Sequence, residues 1–190
     1  MKRVLLLGVG RSTHTLIKYL VNYSRKNNMH ITLADQYDNN FVKSYVNQGG
    51  CKFVHLDINN VDARKSIIAG ADIVISMLPP KFHILVAVDC ITFQKNLITA
   101  SYTSDALRHL DSEAKKANIL ILNEVGLDPG IDHISAMEII DSLKSQGAVI
   151  NTFKSFCGGL VAPEYDNNPW NYKFTWNPRN VVLAGSSGAS

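Results

Sequence analysis

Short apolar runs alternate with longer amphipathic stretches over the first two thirds of the chain. The runs predicted as strands are Val4–Leu7, Ile31–Ala34, Phe53–His55, Ile73–Ser76, Asn96–Thr99 and Ile119–Asn123. The helices predicted between them are Ser12–Tyr23, Asn40–Gln48, Val61–Ala69, Phe82–Phe93 and Ser104–Ala117. Strands this short and apolar are typical of a parallel sheet buried on both faces. Right-handed crossovers then predict a Rossmann-like, doubly wound α/β fold with strand order 3-2-1-4-5-6.

The pattern changes after Asn123. It predicts a helix over Asp132–Gln146 and a strand over Thr152–Phe156, followed by a stretch rich in aromatic residues, Pro and Asn. We interpret residues 1–125 as a dinucleotide-binding domain. Residues 126–190 would begin a second α/β domain, for substrate, that stops partway.

Composition excludes several classes of protein. With 46% hydrophobic and 18% charged residues among 190, the chain is not of the disordered type. The run Ile84–Phe93 is interrupted by Asp89 and is shorter than the ~18 residues of a membrane span. The 19 basic residues are scattered, so we expect neither nucleic acid nor a membrane as partner. Three widely spaced cysteines predict no metal site and indicate reduced thiols in a cytoplasmic protein.

A glycine-rich turn follows the first predicted strand. Gly8-Val9-Gly10-Arg11-Ser12-Thr13 is a GxGxxG pattern with Thr13 in the last position. Gly8 permits the tight turn, and Gly10 lets a pyrophosphate approach the backbone at a helix N-terminus. The pattern predicts dinucleotide binding, although a pair of ordinary turn glycines would look the same.

Asp35 directly follows the second predicted strand, 25 residues after Gly10. An acid there is typical of binding to the ribose 2′-hydroxyl, so the sequence favours NAD over NADP. Two observations compete with this interpretation. Asp35 could be a solvated loop residue, and Arg11 could reach a 2′-phosphate from the glycine turn.

Five further segments are too particular for a generic fold. They are Ile73–Pro80 with Phe82-His83, Thr99–Tyr102, Asn123–His133, Phe156–Glu164 and Asn168–Trp176. Together they resemble the L-glutamate-forming saccharopine dehydrogenases, over Lys2 to about Ala184. The resemblance implies an oxidoreductase of lysine metabolism that interconverts saccharopine with L-glutamate and 2-aminoadipate 6-semialdehyde, using NAD(P). It also implies that the chain is the N-terminal portion of a longer enzyme, inactive alone, and that the longer enzyme could form a homodimer.

The resemblance implies site residues by position. Those for the cofactor are Gly8, Val9, Gly10, Arg11, Ser12, Ala34, Asp35, Gln36, Asp57, Ile58, Leu78, Ala100, Ser101, Leu127, Asp128 and Pro129. Saccharopine would contact Ser101, Tyr102 and Asp128. We expect Asp128 to accept a proton from the substrate's amine and Tyr102 to orient the substrate. The alternative is that Asp128 only caps the turn before the next helix.

Other residues have two interpretations. His83 and His133 could each be a general acid, or a helix-capping or surface residue. Cys157 could be a reactive thiol or a buried inert one. The aromatic stretch Trp170–Trp176 is interpreted as a strand with one aromatic face or as a platform for substrate. Gly158-Gly159 could form a turn or present backbone N–H groups to a carboxylate.

Two other functions stay open. One is an enzyme similar to carboxynorspermidine dehydrogenase. The other is a non-catalytic NAD(P)-binding module.

Overall fold

A computed structural model describes residues 1–156 and 161–173 of the chain. Its strands are β1 (Lys2–Leu7), β2 (Met29–Asp35), β3 (Lys52–His55), β4 (Ile73–Ser76), β5 (Asn96–Thr99) and β6 (Ile121–Leu122). Its α-helices are α1 (His14–Lys26), α2 (Asn40–Asn47), α3 (Val61–Ala69), α4 (His83–Thr92), α5 (Asp105–Arg108), α6 (Asp111–Lys116) and α7 (Ile131–Ser145). Single 3₁₀ turns cover Arg11–Thr13, Pro80–Phe82 and Pro163–Tyr165.

The six strands form one parallel sheet in the order β3-β2-β1-β4-β5-β6. This confirms the predicted Rossmann-like strand order. In the centre, Lys2–Leu7 of β1 runs beside residues 29–34 of β2, and its second half runs beside β4. All carboxyl ends of the strands therefore lie at one edge of the sheet, which is where folds of this kind bind ligands.

The central strand β1 supplies apolar side chains to both faces of the sheet. Leu5 and Leu7 pack into the core on one face, with residues of α3 and α4. Leu6 packs on the other face, with residues of α1 and α2. Successive strand residues point to opposite faces, so one apolar run serves two layers of helices.

Several predicted elements differ from the structure. The single helix predicted over Ser104–Ala117 is two short helices, α5 and α6. The strand predicted over Thr152–Phe156 is wrong, because that segment has no regular structure and leaves Phe156 91% exposed. No described strand pairs with it, and an unpaired strand leaves its backbone groups without partners.

The predicted aromatic strand over Trp170–Trp176 is only partly described. Its first residues lie in a turn, in which the Asn168 side chain accepts a hydrogen bond from the Trp170 N–H at 3.0 Å. Phe174 and Trp176 lie outside the described residues, as do Cys157 and Gly158-Gly159. Their predicted roles stay predictions.

By compactness the chain divides into Met1–Ser142 and Leu143–Ser190. The first unit contains the whole sheet. The division proposed at residue 125 stays a prediction. Across the described ranges, none of the helices is long and apolar enough to span a membrane.

Candidate functional site

The predicted site residues follow the carboxyl ends of the strands. The groups, in chain order, are Gly8–Ser12 after β1, Ala34–Gln36 at the end of β2, Asp57-Ile58 after β3, Leu78 after β4, Ala100–Tyr102 after β5 and Leu127–Pro129 after β6. Parallel pairing places all six groups at one edge of the sheet. The structure thus gathers them at one rim of the first unit, while their roles there stay predictions.

The glycine turn depends on Gly8. Its φ is +92°, a left-handed conformation that favours glycine, and a Cβ there would lie 2.9 Å from the backbone of Met77. Gly10 has no described atom within 4 Å of where its Cβ would be. A side chain at Gly10 would fill this open space, which fits the close approach of a pyrophosphate at the start of a helix.

Thr13, in the third glycine position, is fully buried. Its hydroxyl donates to the Gly10 carbonyl at 2.8 Å. The Thr13 side chain thus closes the turn with a satisfied hydrogen bond, and glycine is not needed there.

Asp35 faces the glycine turn. One carboxylate oxygen accepts a hydrogen bond from the Val9 N–H at 2.7 Å, and the other accepts from the Tyr37 N–H at 3.3 Å. The Asn39 side-chain amide donates to the Val9 carbonyl at 3.0 Å. The Val9 residue is therefore held on its N–H by Asp35 and on its C=O by Asn39. The interpretation of Asp35 as a solvated loop residue is wrong.

A buried ion pair stabilises the loop after β3. The Asp57 side chain is exposed and accepts from the Asn59 N–H at 2.9 Å, whereas Ile58 packs into the core. The Arg64 guanidinium donates to the Ile58 carbonyl at 2.8 Å and to the Asp89 carboxylate at 2.6 Å. Both charged side chains are buried, so this pair fixes the loop that carries Asp57 and Ile58, two of the residues implied for the cofactor.

A cluster of hydroxyl groups surrounds His83 between the ends of β4 and β5. His83 Nδ1 lies 2.9 Å from Ser76 Oγ, and Nε2 lies 2.8 Å from Ser101 Oγ and 3.1 Å from Thr99 Oγ1. Burial lowers the pKa of His83 to about 4. A ring that stays neutral near pH 7 is a poor proton donor, so the general-acid interpretation is not supported. Nor does its side chain cap α4, since it bridges the two strand ends instead.

Tyr102 and Asp128 meet at the rim beyond β5 and β6. Partial burial raises the pKa of the Tyr102 phenol, and the negative charges of Asp128, Asp132 and Glu124 raise it further, with Asp128 first among them. Tyr102 is 64% exposed, so the pair faces outward. The structure thus brings together the two residues predicted to act on the substrate.

The loop that carries Asp128 closes on itself. The Gly126 N–H donates to the Pro129 carbonyl at 2.9 Å, and the Ile131 N–H donates to the Gly126 carbonyl at 2.9 Å. The Asp128–Pro129 peptide bond is cis. A Cβ on Gly130 would overlap the Gly126 backbone, so the close approach requires glycine at position 130. It is Asp132, not Asp128, that accepts a hydrogen bond from the Gly130 N–H, at 2.9 Å.

His133 and Asn123 complete the rim. His133 is exposed, and its hydrogen bond to Asp132, with the charge of that carboxylate, raises the pKa of the imidazole. Asn123 has a buried side-chain oxygen for which the described residues provide no hydrogen-bond partner. His133 and Asn123 add polar groups to the rim, whereas the negative charge that acts on Tyr102 comes from Asp128, Asp132 and Glu124.

Sequence reasoning missed four supporting residues. Asn39 could have been found, because it lies three residues before Val42 and caps α2 as an N-cap asparagine does. Glu124 accepts from the Thr103 N–H at 2.9 Å, and the Arg64–Asp89 pair joins α3 to α4. Their spacing along the chain carries no local signal for these contacts.

Comparison with known proteins agrees with this geometry. Residues 4–122 match the family model "Saccharopine dehydrogenase NADP binding domain", and residues 126–190 match "Saccharopine dehydrogenase C-terminal domain". The chain is 39% identical over 183 residues to saccharopine dehydrogenase [NADP(+), L-glutamate-forming] of Saccharomyces cerevisiae. It is also 39% identical over 183 residues to the mitochondrial alpha-aminoadipic semialdehyde synthase of Mus musculus.

The matches cover nearly all of this chain but less than half of each relative. The matches take in 96% of this chain but 40% of the yeast protein and 19% of the mouse protein. The solved structure of apo saccharopine dehydrogenase (L-Glu forming) from S. cerevisiae superposes with a TM-score of 0.81 at 38% identity. That superposition covers 97% of this chain and 40% of the yeast chain.

The parallel sheet and the glycine turn at its rim define a dinucleotide-binding protein of the Rossmann class. Within that class, the chain belongs to the saccharopine dehydrogenase family.

The preference for NAD predicted from Asp35 is wrong. The matching family model is that of an NADP-binding domain, and the fungal relatives are named as NADP(+) enzymes. In the structure, both Asp35 oxygens accept hydrogen bonds from backbone N–H groups, so the carboxylate is directed at the turn and forms part of its scaffold. This role in the fold accounts for an acid at position 35, which therefore does not by itself identify the coenzyme. The comparisons give no support to the carboxynorspermidine enzyme or to the non-catalytic module.

Proposed function

We propose that this chain forms the NADP-binding domain and the first part of the C-terminal domain of an L-glutamate-forming saccharopine dehydrogenase. The observation that carries the proposal is the placement of Tyr102 and Asp128 at the same sheet rim as the glycine turn. The high identity to named saccharopine dehydrogenases supports the substrate.

The residues at the rim suit oxidation of a secondary amine. The reaction takes a hydride from carbon and a proton from nitrogen, and water then splits the imine into L-glutamate and 2-aminoadipate 6-semialdehyde. When bound, NADP supplies the hydride acceptor. Asp128 is placed to attract the substrate's cationic nitrogen and to accept its proton. The Tyr102 hydroxyl can donate to a substrate carboxylate and so orient it.

The cofactor would lie across the glycine turn, with Gly10 facing its pyrophosphate. Arg11 is exposed beside this turn and carries the charge that a 2′-phosphate needs. We expect Arg11→Ala to weaken NADPH binding roughly 10-fold, the value of one charge-assisted hydrogen bond, and to leave NADH binding unchanged. Fluorescence titration of both reduced cofactors measures this, with Arg25→Ala at the far end of α1 as the charge-matched control. An equal loss for NADPH and NADH would contradict this role for Arg11.

The function itself is tested on the full-length gene product that carries these 190 residues. We expect NADPH to form when saccharopine and NADP⁺ are supplied, and no turnover with carboxynorspermidine. We also expect the 190 residues alone to bind NADPH without turnover, since the relatives they match are longer. Tight cofactor binding by the full-length protein, without any turnover of saccharopine, would contradict the proposal and favour a non-catalytic module.

A further inference from the structure

A cleft lies at the amino ends of β1, β2 and β3, on the edge of the sheet opposite to the candidate site. Its volume is about 180 Å³, and the end of α3 forms one of its walls. Leu5 and Ala71, both buried, give it an apolar floor. Because a strand rises ~3.3 Å per residue, Gly8 of the glycine turn lies about 17 Å along the chain from Arg3 in the cleft. The cleft is therefore separate from the coenzyme turn.

Three basic residues that are far apart in the sequence line this cleft. Arg3 of β1 is the register partner of His30 in β2, and Thr32 of β2 is the register partner of Lys52 in β3. Alternate residues of a strand point to the same face of the sheet, and these four residues share the face of Leu5. Neighbouring strands lie only ~4.8 Å apart, so strand pairing brings the basic groups around one small volume.

Most hydrogen-bond donors of the cleft have no protein partner. The Arg3 guanidinium binds the Asp72 carboxylate through Nε at 3.4 Å and through Nη2 at 2.9 Å. This pairing orients the guanidinium and leaves its Nη1 group without a partner among the described residues. In the same part of the chain, no hydrogen bond or ion pair engages the side chains of His30, Thr32, Lys52 and Ser66, which all line the cleft.

The charge around the cleft favours an anion. Arg3 and Lys52 bring two positive charges, and Asp72 brings one negative charge. His30 and Lys52 also line a neighbouring cleft with Arg25, which adds a further positive charge nearby. An apolar floor lowers the local dielectric and strengthens the attraction between these groups and an anion.

We propose that this cleft is a binding site for a small ligand with a phosphoryl group, with Lys52 and the free edge of Arg3 as its charged donors. A phosphoryl group has at least three acceptor oxygens, whereas a carboxylate has two, so it can use more of the donors gathered here. The cleft is smaller than the ~300–1,000 Å³ of sites for drug-sized molecules, which excludes a whole dinucleotide. The inference does not depend on the proposed oxidation of saccharopine.

A titration of the 190-residue chain with inorganic phosphate at constant ionic strength tests the site. The ¹H–¹⁵N NMR signals of His30 and Lys52 should shift in a saturable way, with a Kd of roughly 1 mM, the affinity that two charge-assisted hydrogen bonds provide. Acetate should bind at least about 10-fold more weakly, because it can accept from fewer donors. Saturating NADPH should not displace the phosphate, because the glycine turn lies at the other edge of the sheet.

Phenyl phosphate distinguishes two sources of the phosphoryl group. Its ring could lie on the apolar floor at Leu5, so tighter binding than that of inorganic phosphate would identify a phosphate ester as the ligand. Weaker binding would identify the free phosphate ion.

Variants locate the bound phosphate. Lys52→Met should weaken phosphate binding about 10-fold and Thr32→Val about fivefold, as for the loss of a charged and of a neutral hydrogen bond. Lys116→Met, at an exposed position in α6, is the charge-matched control and should leave the Kd within about twofold. An unchanged affinity for NADPH would show that each variant keeps its fold.

Four results would overturn the proposal. The first is the absence of a saturable shift at millimolar phosphate, and the second is shifts confined to the glycine turn, which would place the phosphate at the coenzyme site. Equal losses in Lys52→Met and Lys116→Met would show only a general effect of charge. Equal Kd values for acetate and phosphate would exclude selection of a phosphoryl group.

Discussion

At the scale of single residues, Asp35 shows how one side chain can follow a familiar pattern and have a different role. Its position after β2 is that of a ribose-binding acid, but its oxygens bind the N–H groups of Val9 and Tyr37. The sequence contains the correct spacing. It does not contain the direction of the carboxylate, which depends on how the turn folds back over β2.

Asp35→Ala provides a direct test of this role. Removal of the carboxylate leaves the partly buried Val9 N–H without its partner, which costs about 1–3 kcal/mol of folding free energy. We expect a lower Tm and a similar weakening of NADPH and NADH binding, because the turn itself is loosened. Thermal unfolding and two fluorescence titrations measure these effects. If NADH binding alone were weakened, Asp35 would bind the ribose after all.

In the proposed function, Asp128 accepts the proton from the substrate's amine. Asp128→Asn keeps the shape of the side chain but cannot accept the substrate's proton, so kcat/KM for saccharopine should fall roughly 10²-fold or more in the full-length gene product. NADPH affinity should stay unchanged. Tyr102→Phe is the comparison variant, and it should raise KM more than it lowers kcat. The catalytic role would be contradicted if Asp128→Asn kept kcat/KM within a few-fold of the parent value, or if it only lowered Tm. Asp128 would then have a structural role in the turn.

At the scale of elements, the buried pair of Arg64 and Asp89 joins α3 to α4 and supports the loop at Ile58. Arg64→Met leaves the Asp89 carboxylate buried without a partner, and we expect a loss of about 3–5 kcal/mol in unfolding free energy. The double variant Arg64→Met/Asp89→Leu should recover most of that loss.

Urea denaturation of the two variants measures the effect, and Lys115→Met is the control. Lys115 forms an exposed pair with Asp111, so its loss should cost less than about 1 kcal/mol. A double variant as unstable as the single one would show that the ion pair itself, rather than the unpaired charge, carries the stability.

The elements that sequence predicted well are those with a strong local signal. The six strands and their order followed from apolar runs and from the handedness of crossovers. The strand expected over Thr152–Phe156 failed because residues that favour strands are only half of what a strand needs. The other half is a neighbouring strand, and local sequence does not reveal one.

Some features of the candidate site could likewise be predicted from local sequence, and others could not. The glycine turn was predictable because the motif places a glycine at position 8, where the backbone has a positive φ that favours glycine. The hydrogen bonds of His83 were not predictable, because Ser76, Thr99 and Ser101 become neighbours only when two strands pair. Residues that act through tertiary contacts leave no periodic signal.

At the scale of the whole molecule, the burial of His83 makes the free energy of unfolding depend on pH. The pKa of His83 falls from the ordinary 6.5 to about 4 on burial. The unfolded chain therefore binds a proton that the native chain rejects, and stability falls as pH falls from about 6.5 to about 4. At ~1.4 kcal/mol for each pKa unit, the full effect is roughly 3 kcal/mol.

Urea unfolding across this pH window measures the effect. His83→Gln should flatten the dependence, whereas His30→Gln, at an exposed position, should not. The Arg3–Asp72 pair lowers the pKa of Asp72 from 3.8 to about 2, so its contribution to stability is present across this window and is lost only as the pH falls below about 4. An unchanged slope in His83→Gln would assign the acid sensitivity to another group.

The hydrogen bonds from Asp35 and Asn39 to the Val9 backbone also limit how coenzyme preference can be changed by mutation. Substitution of Asp35 would remove the acceptor of the Val9 N–H and so disturb the turn at which either coenzyme would bind. Engineers seeking an NADH-dependent form would do better to leave Asp35 in place and to vary the exposed neighbours Arg11 and Gln36, which the fold leaves free to change.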